Sequence, residues 1–461
     1  LGMEKQHGQR RQLVWAELDE APLAQAMEYL AILAETTKNG LAAGTIDDLV
    51  AGYLSKGWLA DNAVIRALAL VDTAQDVEAV TTAIRTVYLP WLEDSARHLQ
   101  KIVEAESYPG ATVTTALSAV AKEGECVLFV DGLRFDAAKR LLGLLGSSGY
   151  EVAETVVWTA LPSVTATGKP AVSPVKDKIQ GEDFNIDFEP CVAGTGQSLK
   201  GGSHLKKLLA DDGWQILERS DNGNGLGNAW CEFGDIDHEG HDRRWKLVKH
   251  IDNLLMEIRE RIAELIAAGW KSVRVVTDHG WLLLPGGLPK IDMSGALADT
   301  KWGRCAAIKP GASTEERLYP WFWNPSQHFA LADGISCFRN GEEYAHGGLS
   351  LQECLTLELA VTAGSAGSVL SIEFTDIAWK GLRCTVAVDG RFSGLSLDIR
   401  LQPGNPSSGK AVSVCALKDN GTASVVVEDE CLEGREATLV LLDASGELVA
   451  QTATVIGGGS K

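Results

Sequence analysis

The stretch Arg274-Val275-Val276-Thr277-Asp278-His279-Gly280-Trp281 decides how this chain is read. An apolar, β-branched run ends abruptly on a carboxylate and an imidazole, with a glycine behind them. Such a run, bounded by glycine, predicts a buried strand. In parallel sheets ligands gather at the carboxyl ends of the strands, so Asp278 and His279 stand where a metal half-site would form. Asp-His is a common pair, and taken alone it equally describes the cap of a turn.

Outward from this stretch, strand and helix patterns alternate. Glu125-Cys126-Val127-Leu128-Phe129-Val130 reads as a buried strand, Asp136 to Leu145 as an amphipathic helix, and Glu151 to Trp158 as a further strand. A long helix from about Asp242 to Ala268 carries Leu247, Ile251, Leu254, Ile258, Ile262 and Leu265 on one stripe and leads into the Asp278 strand. This succession predicts an α/β fold with a mostly parallel sheet flanked by helices. Between Pro174 and Asn228 periodicity is poor and glycine frequent, which suggests an inserted, partly ordered lobe.

Two other textures flank that region. From about Gln12 to Glu106 apolar residues recur three and four apart, as in Leu23, Met27, Leu30 and Leu33, so short helices are expected between glycines 40, 44, 52 and 57. Thr45 and Thr73 have the look of helix caps, each with an acid in the following turn. After about Gly364, seven short alternating runs between Ser371 and Val455 predict a small antiparallel β-sandwich. That part contains no histidine, so binding or assembly is expected there and no metal chemistry. The expected division is a helical region at 1–112, an α/β domain at 113–362 and a β-sandwich at 363–461.

Composition narrows the classes. At 461 residues the chain is long for one core, and 45% hydrophobic with 23% charged residues is ordinary for a soluble globular protein. A net charge of −20 argues against a broad nucleic-acid-binding surface, though not against a local basic groove. The nine cysteines are scattered with no C-x-x-C pair, so neither a zinc ribbon nor a redox motif is indicated. Reduced thiols in a cytoplasmic protein is the expectation, with no signal peptide and no run long enough to span a membrane. The opening Leu1-Gly2-Met3 and the closing Gly457-Gly458-Gly459-Ser460-Lys461 suit a segment of a longer protein.

Four further stretches of the α/β region match the first in kind. Val130-Asp131-Gly132-Leu133-Arg134-Phe135-Asp136 puts a carboxylate at a strand end. Leu161-Pro162-Ser163-Val164-Thr165-Ala166-Thr167-Gly168-Lys169 sets hydroxyls just after a strand. Asp237-His238-Glu239-Gly240-His241 holds acid and imidazole four apart around a glycine, and His346-Gly347-Gly348-Leu349-Ser350 is followed by Glu353. Each has a plainer reading: Asp131 as a helix cap, Thr165 as a turn hydroxyl, Asp237 and His241 in an acidic surface loop, His346 as a surface histidine. Jointly, three Asp, three His and one Thr at strand ends or in glycine-containing loops form the donor set of a two-metal hydrolase. Oxygen and imidazole donors without thiolate suit zinc, with manganese or magnesium as the other candidates.

The order Asp-Gly-Leu-Arg, Pro-Ser-x-Thr, Asp-x-x-Gly-His, Asp-His-Gly and His-Gly-Gly resembles the alkaline phosphatase superfamily. Within it, Val130–Asp136, Leu161–Lys169 and His346–Glu353 most resemble the PglZ domain of bacterial BREX phage-defence systems, over about Glu125 to Leu359. The resemblance implies an alkaline-phosphatase-like fold. It gives Thr165 as nucleophile, with Asp131, Asp278 and His279 around the same metal, and Asp237, His241 and His346 around a second. Ser163 and Thr167 are the competing hydroxyls of the loop. The family's loop usually continues with proline and Asn or His, whereas this one continues Ala166-Thr167-Gly168-Lys169.

The implied chemistry is in-line attack of Thr165 on a phosphoryl group, with two metals about 4 Å apart stabilising the attacking and leaving oxygens. Arg134 and Lys169 are candidates to neutralise a non-bridging oxygen; the plainer readings are a helix-start salt bridge and a solvated loop charge. A BREX-like setting implies other system proteins as partners, a DNA methyltransferase among them, with DNA delivered through them. Phosphatase, phosphodiesterase and nuclease activities all fit the motif set. The rival class is a non-catalytic assembly component with a structural metal site.

Overall fold

The computed structural model describes residues 22–111, 122–183, 185–298, 302–364, 372–389, 392, 394–403, 408–418, 420–443, 446 and 448–458. The runs expected as strands before Asp131 and Asp278 and at Glu151–Trp158 are strands; of the expected run Ala411–Leu417 only Cys415–Ala416 is one, and Ser371 lies outside the described residues. Six strands form the central sheet: β1 (Glu125–Phe129), β2 (Tyr150–Trp158), β3 (Gln215–Leu217), β4 (Ala229–Glu232), β5 (Ser272–Val276) and β6 (Leu355–Ala363). Their order is β2-β6-β5-β1-β4-β3, and β1 runs parallel to both β4 and β5, as β3 does to β4. The strand before Asp278 is therefore central. Its neighbours β1 and β6 each turn a glutamate toward Arg274, Glu125 and Glu358, at 2.6 Å apiece. A cation shared by two adjacent strands ties the register of all three.

The helices follow the amphipathic pattern: α1 (Pro22–Thr37), α2 (Trp58–Leu70), α3 (Ala74–Ala105), α4 (Phe135–Ser147), α5 (Thr165–Ala171), α6 (Ile236–Arg243) and α7 (Ile251–Ala267). Thr73 caps α3 by accepting from the Asp76 N–H, and Thr45 caps the short helix Ile46–Gly52 in the same way. The long helix expected from Asp242 is shorter: a 3₁₀ turn at Arg244–Lys249 separates α6 from α7. The stretch expected to be a loosely ordered lobe contributes to the core. Leu199, Leu205, Leu209 and Trp214 pack with Val127, Phe129 and Trp230 of the sheet, and β3 is the sheet's edge strand.

Two compact units divide the chain. One takes residues up to Arg140 together with Ala153–Ala360, and the other Leu141–Val152 with Val361–Lys461. In the second, seven strands make a three-stranded and a four-stranded antiparallel sheet whose apolar residues share one core, with Val386 and Val425 from one and Ile399 and Leu439 from the other. No helix among the described residues is long and apolar enough to cross a membrane.

In the first unit the N-terminal helices and the sheet meet at a buried carboxylate. Asp61 of α2 accepts from Tyr53 at 2.7 Å, from Tyr88 of α3, and from Gln352 Nε2 at 3.3 Å, and its carbonyl faces Arg134. Burial pushes Asp61 up to about 6, against the attraction of Arg134. An unfolded aspartate titrates near 3.8, so between that pH and about 6 the folded protein holds a proton that the unfolded chain has lost. The Asp61 contribution to stability is thus greatest below pH ~4 and declines as pH rises through that window. Replacing Asp61 by Asn removes the slope, so the melting temperature of the wild-type protein should fall relative to Asp61→Asn between about pH 4 and 6. A difference that stays flat across the window contradicts this assignment.

Candidate functional site

The parallel pairing of β1 with β5 builds the first half of the site. Phe129 lies opposite Val276, so Asp131 and Asp278, each two residues beyond, leave the sheet side by side. The turn carrying Asp131 is fastened to the end of β5: Leu133 N–H donates to Thr277 Oγ1 at 2.9 Å, and Trp281 Nε1 donates to the Gly132 carbonyl at 2.8 Å. Asp278 is fully buried, and its Oδ1 accepts from the N–H groups of Gly132 and His279 at 3.3 and 3.1 Å. Its Oδ2, like Asp131 Oδ1, is buried with no hydrogen-bond partner among the described residues. Burial, followed by the charges of Asp278 and Asp237, holds Asp131 well above the usual carboxylate range.

His279 completes this group. Its Nδ1 lies 3.0 Å from the Gly280 carbonyl, so Nδ1 carries the proton and Nε2 presents a lone pair. That Nε2 is 3.6 Å from both Asp131 and Asp278, and 3.2 Å from Thr165 Oγ1. Donor atoms of Asp131, Asp278 and His279 all fall within 4.8 Å of one another. Two bare carboxylate oxygens and a bare imidazole nitrogen converging in the interior fit a divalent cation, which would satisfy all three.

Asp237, His241 and His346 form a second group of the same kind. The expectation of a loop is corrected here: Asp237 and His241 lie on α6, where a four-residue spacing puts both on one face. Gly240 between them is needed for space, since a Cβ there would stand 2.3 Å from the Tyr344 ring. Tyr344 in turn donates its hydroxyl to Asp237 Oδ1 at 2.8 Å. His346 Nδ1 is 3.1 Å from the Ser163 carbonyl, leaving Nε2 to face His241 Nε2 at 3.0 Å and Asp237 Oδ1 at 3.4 Å. Burial, then the stacked His279 ring at 3.9 Å, lowers His346 to about 3, so the imidazole stays neutral and ligand-competent. Burial opposes ionisation of Asp237, yet His346, His279, His241 and Tyr344 together hold it below the usual range.

Three hydroxyls share the loop after β2, and their surroundings separate them. Ser163 is buried and donates to the Gly348 carbonyl at 2.7 Å, while Thr167 is buried between the Phe188 carbonyl and Trp321 Nε1. Only Thr165, half-buried at the start of α5, turns its oxygen to His279. Gly168 lets α5 approach, because a Cβ there would meet the Asp278 carbonyl at 2.7 Å.

Of the two expected anion-neutralising residues, one is corrected. Arg134 is buried, chelates Asp136 at 2.6 and 2.9 Å, stacks 3.8 Å over the Trp281 ring and reaches the Trp281 carbonyl. Its guanidinium is committed to the core, which is the helix-start salt bridge. Lys169 lies one turn from Thr165 on α5, 2.7 Å from Glu232, in the lining of a cavity that also includes Thr165. Sequence reasoning passed over Tyr344, Thr277 and the bracing role of Ser163. A tyrosine two residues before His346 was the only available signal.

No protein-family model and no curated protein matches the sequence. Among solved structures, murine ectonucleotide pyrophosphatase/phosphodiesterase 5 is similar at 12% identity, with 52% of this chain and 88% of that one covered and a TM-score of 0.33. An inactive variant of the same murine protein in complex with AMP gives 11% identity, coverage of 52% and 88%, and a TM-score of 0.34. The human counterpart gives 12%, 51% and 87%, and 0.34.

The hydroxyl assignments predict distinct costs. Ser163→Ala and Thr167→Ala each strand a buried partner and should lose about 1–3 kcal/mol in urea unfolding. Thr165→Ala, with one contact in a half-open place, should lose less than about 1 kcal/mol. Equal losses at all three positions would contradict the distinction.

Proposed function

We propose that this protein is a metal-dependent phosphoryl-ester hydrolase of the alkaline phosphatase superfamily with Thr165 as its nucleophile. The observation that carries the reading is the position of Thr165 Oγ1, 3.2 Å from His279 Nε2 and beside two convergent donor groups. Asp131, Asp278 and His279 would hold one divalent cation and Asp237, His241 and His346 a second; such ions supply Lewis acidity and make a hydroxyl a competent nucleophile near neutral pH. The donor chemistry suits zinc best.

The remaining work falls to the chain itself. Thr165 Oγ1 forms the bond to phosphorus as the bond to the leaving alcohol breaks, and water later releases phosphate from the threonine. The Gly280 carbonyl fixes the tautomer of His279, and the Ser163 carbonyl fixes that of His346. Tyr344 steadies Asp237. Lys169, one turn from Thr165, would meet a non-bridging oxygen by turning from its Glu232 partner. The motif resemblance extends the proposal to a PglZ-type role in a BREX defence system, with a DNA methyltransferase among the partners and DNA reached through them.

Purified protein should contain about two equivalents of zinc, and Asp278→Asn and Asp237→Asn about one each, by elemental analysis. With zinc bound it should hydrolyse an aryl phosphate or an aryl phosphodiester, and Thr165→Ala should lower kcat more than about 1,000-fold. Turnover that survives Thr165→Ala removes the nucleophile. No turnover of either ester with both metals bound favours an assembly component.

A further inference from the structure

Beside Thr165 lies a cavity of about 460 Å³ that a phosphoryl group alone would leave mostly empty. Its volume falls in the range of sites that hold whole small molecules, roughly 300–1,000 Å³. Thr165 and Lys169 line it from α5, and the segment Lys200–Ser203 lines it as well. Gly201 and Gly202 take φ of 73° and 78°, and a Cβ at either would meet nothing within 4 Å, so the main chain of these two residues faces open space. Trp302, also in the lining, sets its ring 5.4 Å from that of His346.

The cavity's charge is unusual for this chain. Three of its fifteen lining residues are lysines, Lys169, Lys200 and Lys206, in a protein of net charge −20. Lys169 is committed to Glu232 at 2.7 Å. The other two are loosely held. Lys200 Nζ is 3.7 Å from both Asp187 and Glu189 with 68% of its side chain exposed, and Lys206 Nζ is 3.3 Å from Glu218, itself 73% exposed. Exposed pairs of this kind contribute little and exchange partners readily, whereas a phosphate dianion accepts several charge-assisted bonds at once. Glu232 in the same lining opposes an anion beside Lys169, and Glu189 is the loose partner that a phosphate at Lys200 would replace.

We propose that this cavity is the leaving-group subsite and takes an alcohol bearing a second phosphate, met by the ammonium groups of Lys200 and Lys206. The inference rests on the reading of Thr165 as nucleophile. The second phosphate belongs either to a small organic bisphosphate or to the next linkage of an oligonucleotide. A neutral alcohol would fill the volume and leave both lysines unused.

The test is calorimetric binding to zinc-loaded Thr165→Ala protein of phenyl phosphate, 1,4-phenylene bisphosphate and a 5′-phosphorylated thymidine dinucleotide. The bisphosphate should bind at least about tenfold more tightly than phenyl phosphate, and the advantage should shrink to under about threefold when Lys200→Gln and Lys206→Gln are added. Circular dichroism checks that the surface substitutions leave the fold intact. A dinucleotide that outbinds the bisphosphate assigns the second phosphate to an oligonucleotide, and the reverse order to a small molecule. Equal affinity for the mono- and bisphosphate, or an advantage that survives loss of both lysines, overturns the subsite. Hydrolysis of phenyl phosphate or of an aryl phosphodiester by the zinc-loaded wild-type protein separately decides the phosphoesterase reading. Turnover without a bisphosphate preference keeps the activity and removes the subsite; a lysine-dependent preference without turnover keeps the phosphate contact of Lys200 and Lys206 and overturns its leaving-group role.

Discussion

Three carboxylates of like charge, Asp131, Asp237 and Asp278, are brought together in or at the edge of the interior, and much of the molecule answers that repulsion. Buried charge is costly unless it is paired or tied by hydrogen bonds. The chain supplies only part of the compensation. Main-chain N–H groups of Gly132 and His279 serve one oxygen of Asp278, and the Tyr344 hydroxyl serves one of Asp237. The opposite oxygen of Asp278 and one of Asp131 are left bare. An arrangement that is unfavourable by itself and half-compensated by protein is what an ion-binding site looks like before the ion is counted.

Holding such groups requires a rigid frame, and the frame is electrostatic as well as apolar. Arg274 sits between Glu125 and Glu358, so β1, β5 and β6 cannot slide past one another without parting a largely buried ion pair. A one-residue slip would turn every side chain of a strand to the opposite face. At the strand ends, Thr277 and Trp281 hold the Asp131 turn, while the Ser163 carbonyl meets His346 Nδ1 and the Ser163 hydroxyl donates to the Gly348 carbonyl. The loop of Thr165 and the second donor group are thereby set against each other through one serine.

What the sequence conveyed was the part governed by local period and by residue chemistry. The runs before Asp131 and Asp278 are short, apolar and β-branched, and each became a central strand. The seven runs after Gly364 alternate cleanly and became two sheets around a common core. Less legible were features that depend on what lies across the fold. Nothing local marks Gln215–Leu217 as a sheet edge, and spacing does not choose between an anion contact and a helix-start salt bridge for Arg134, which the Trp281 ring and Asp136 enclose. Glycine in Asp237-His238-Glu239-Gly240-His241 suggested a loop, yet the residue is helical and small because Tyr344 lies against it. The choice among Ser163, Thr165 and Thr167 turned on burial, which spacing does not encode.

The N-terminal helices also act as donors to main chain that the α/β body leaves unserved. Gln100 bonds the Gly334 carbonyl and N–H and the Leu349 carbonyl, and Arg85 reaches the carbonyls of Pro285 and Gly287. In the opposite direction, Lys249 reaches the carbonyls of Ala69 and Val71. The segments so bonded lead directly into the loop of His346 and away from the strand of Asp278. A chain that started at β1 would therefore lose the Asp61 partner of Gln352 and leave these peptide groups to water.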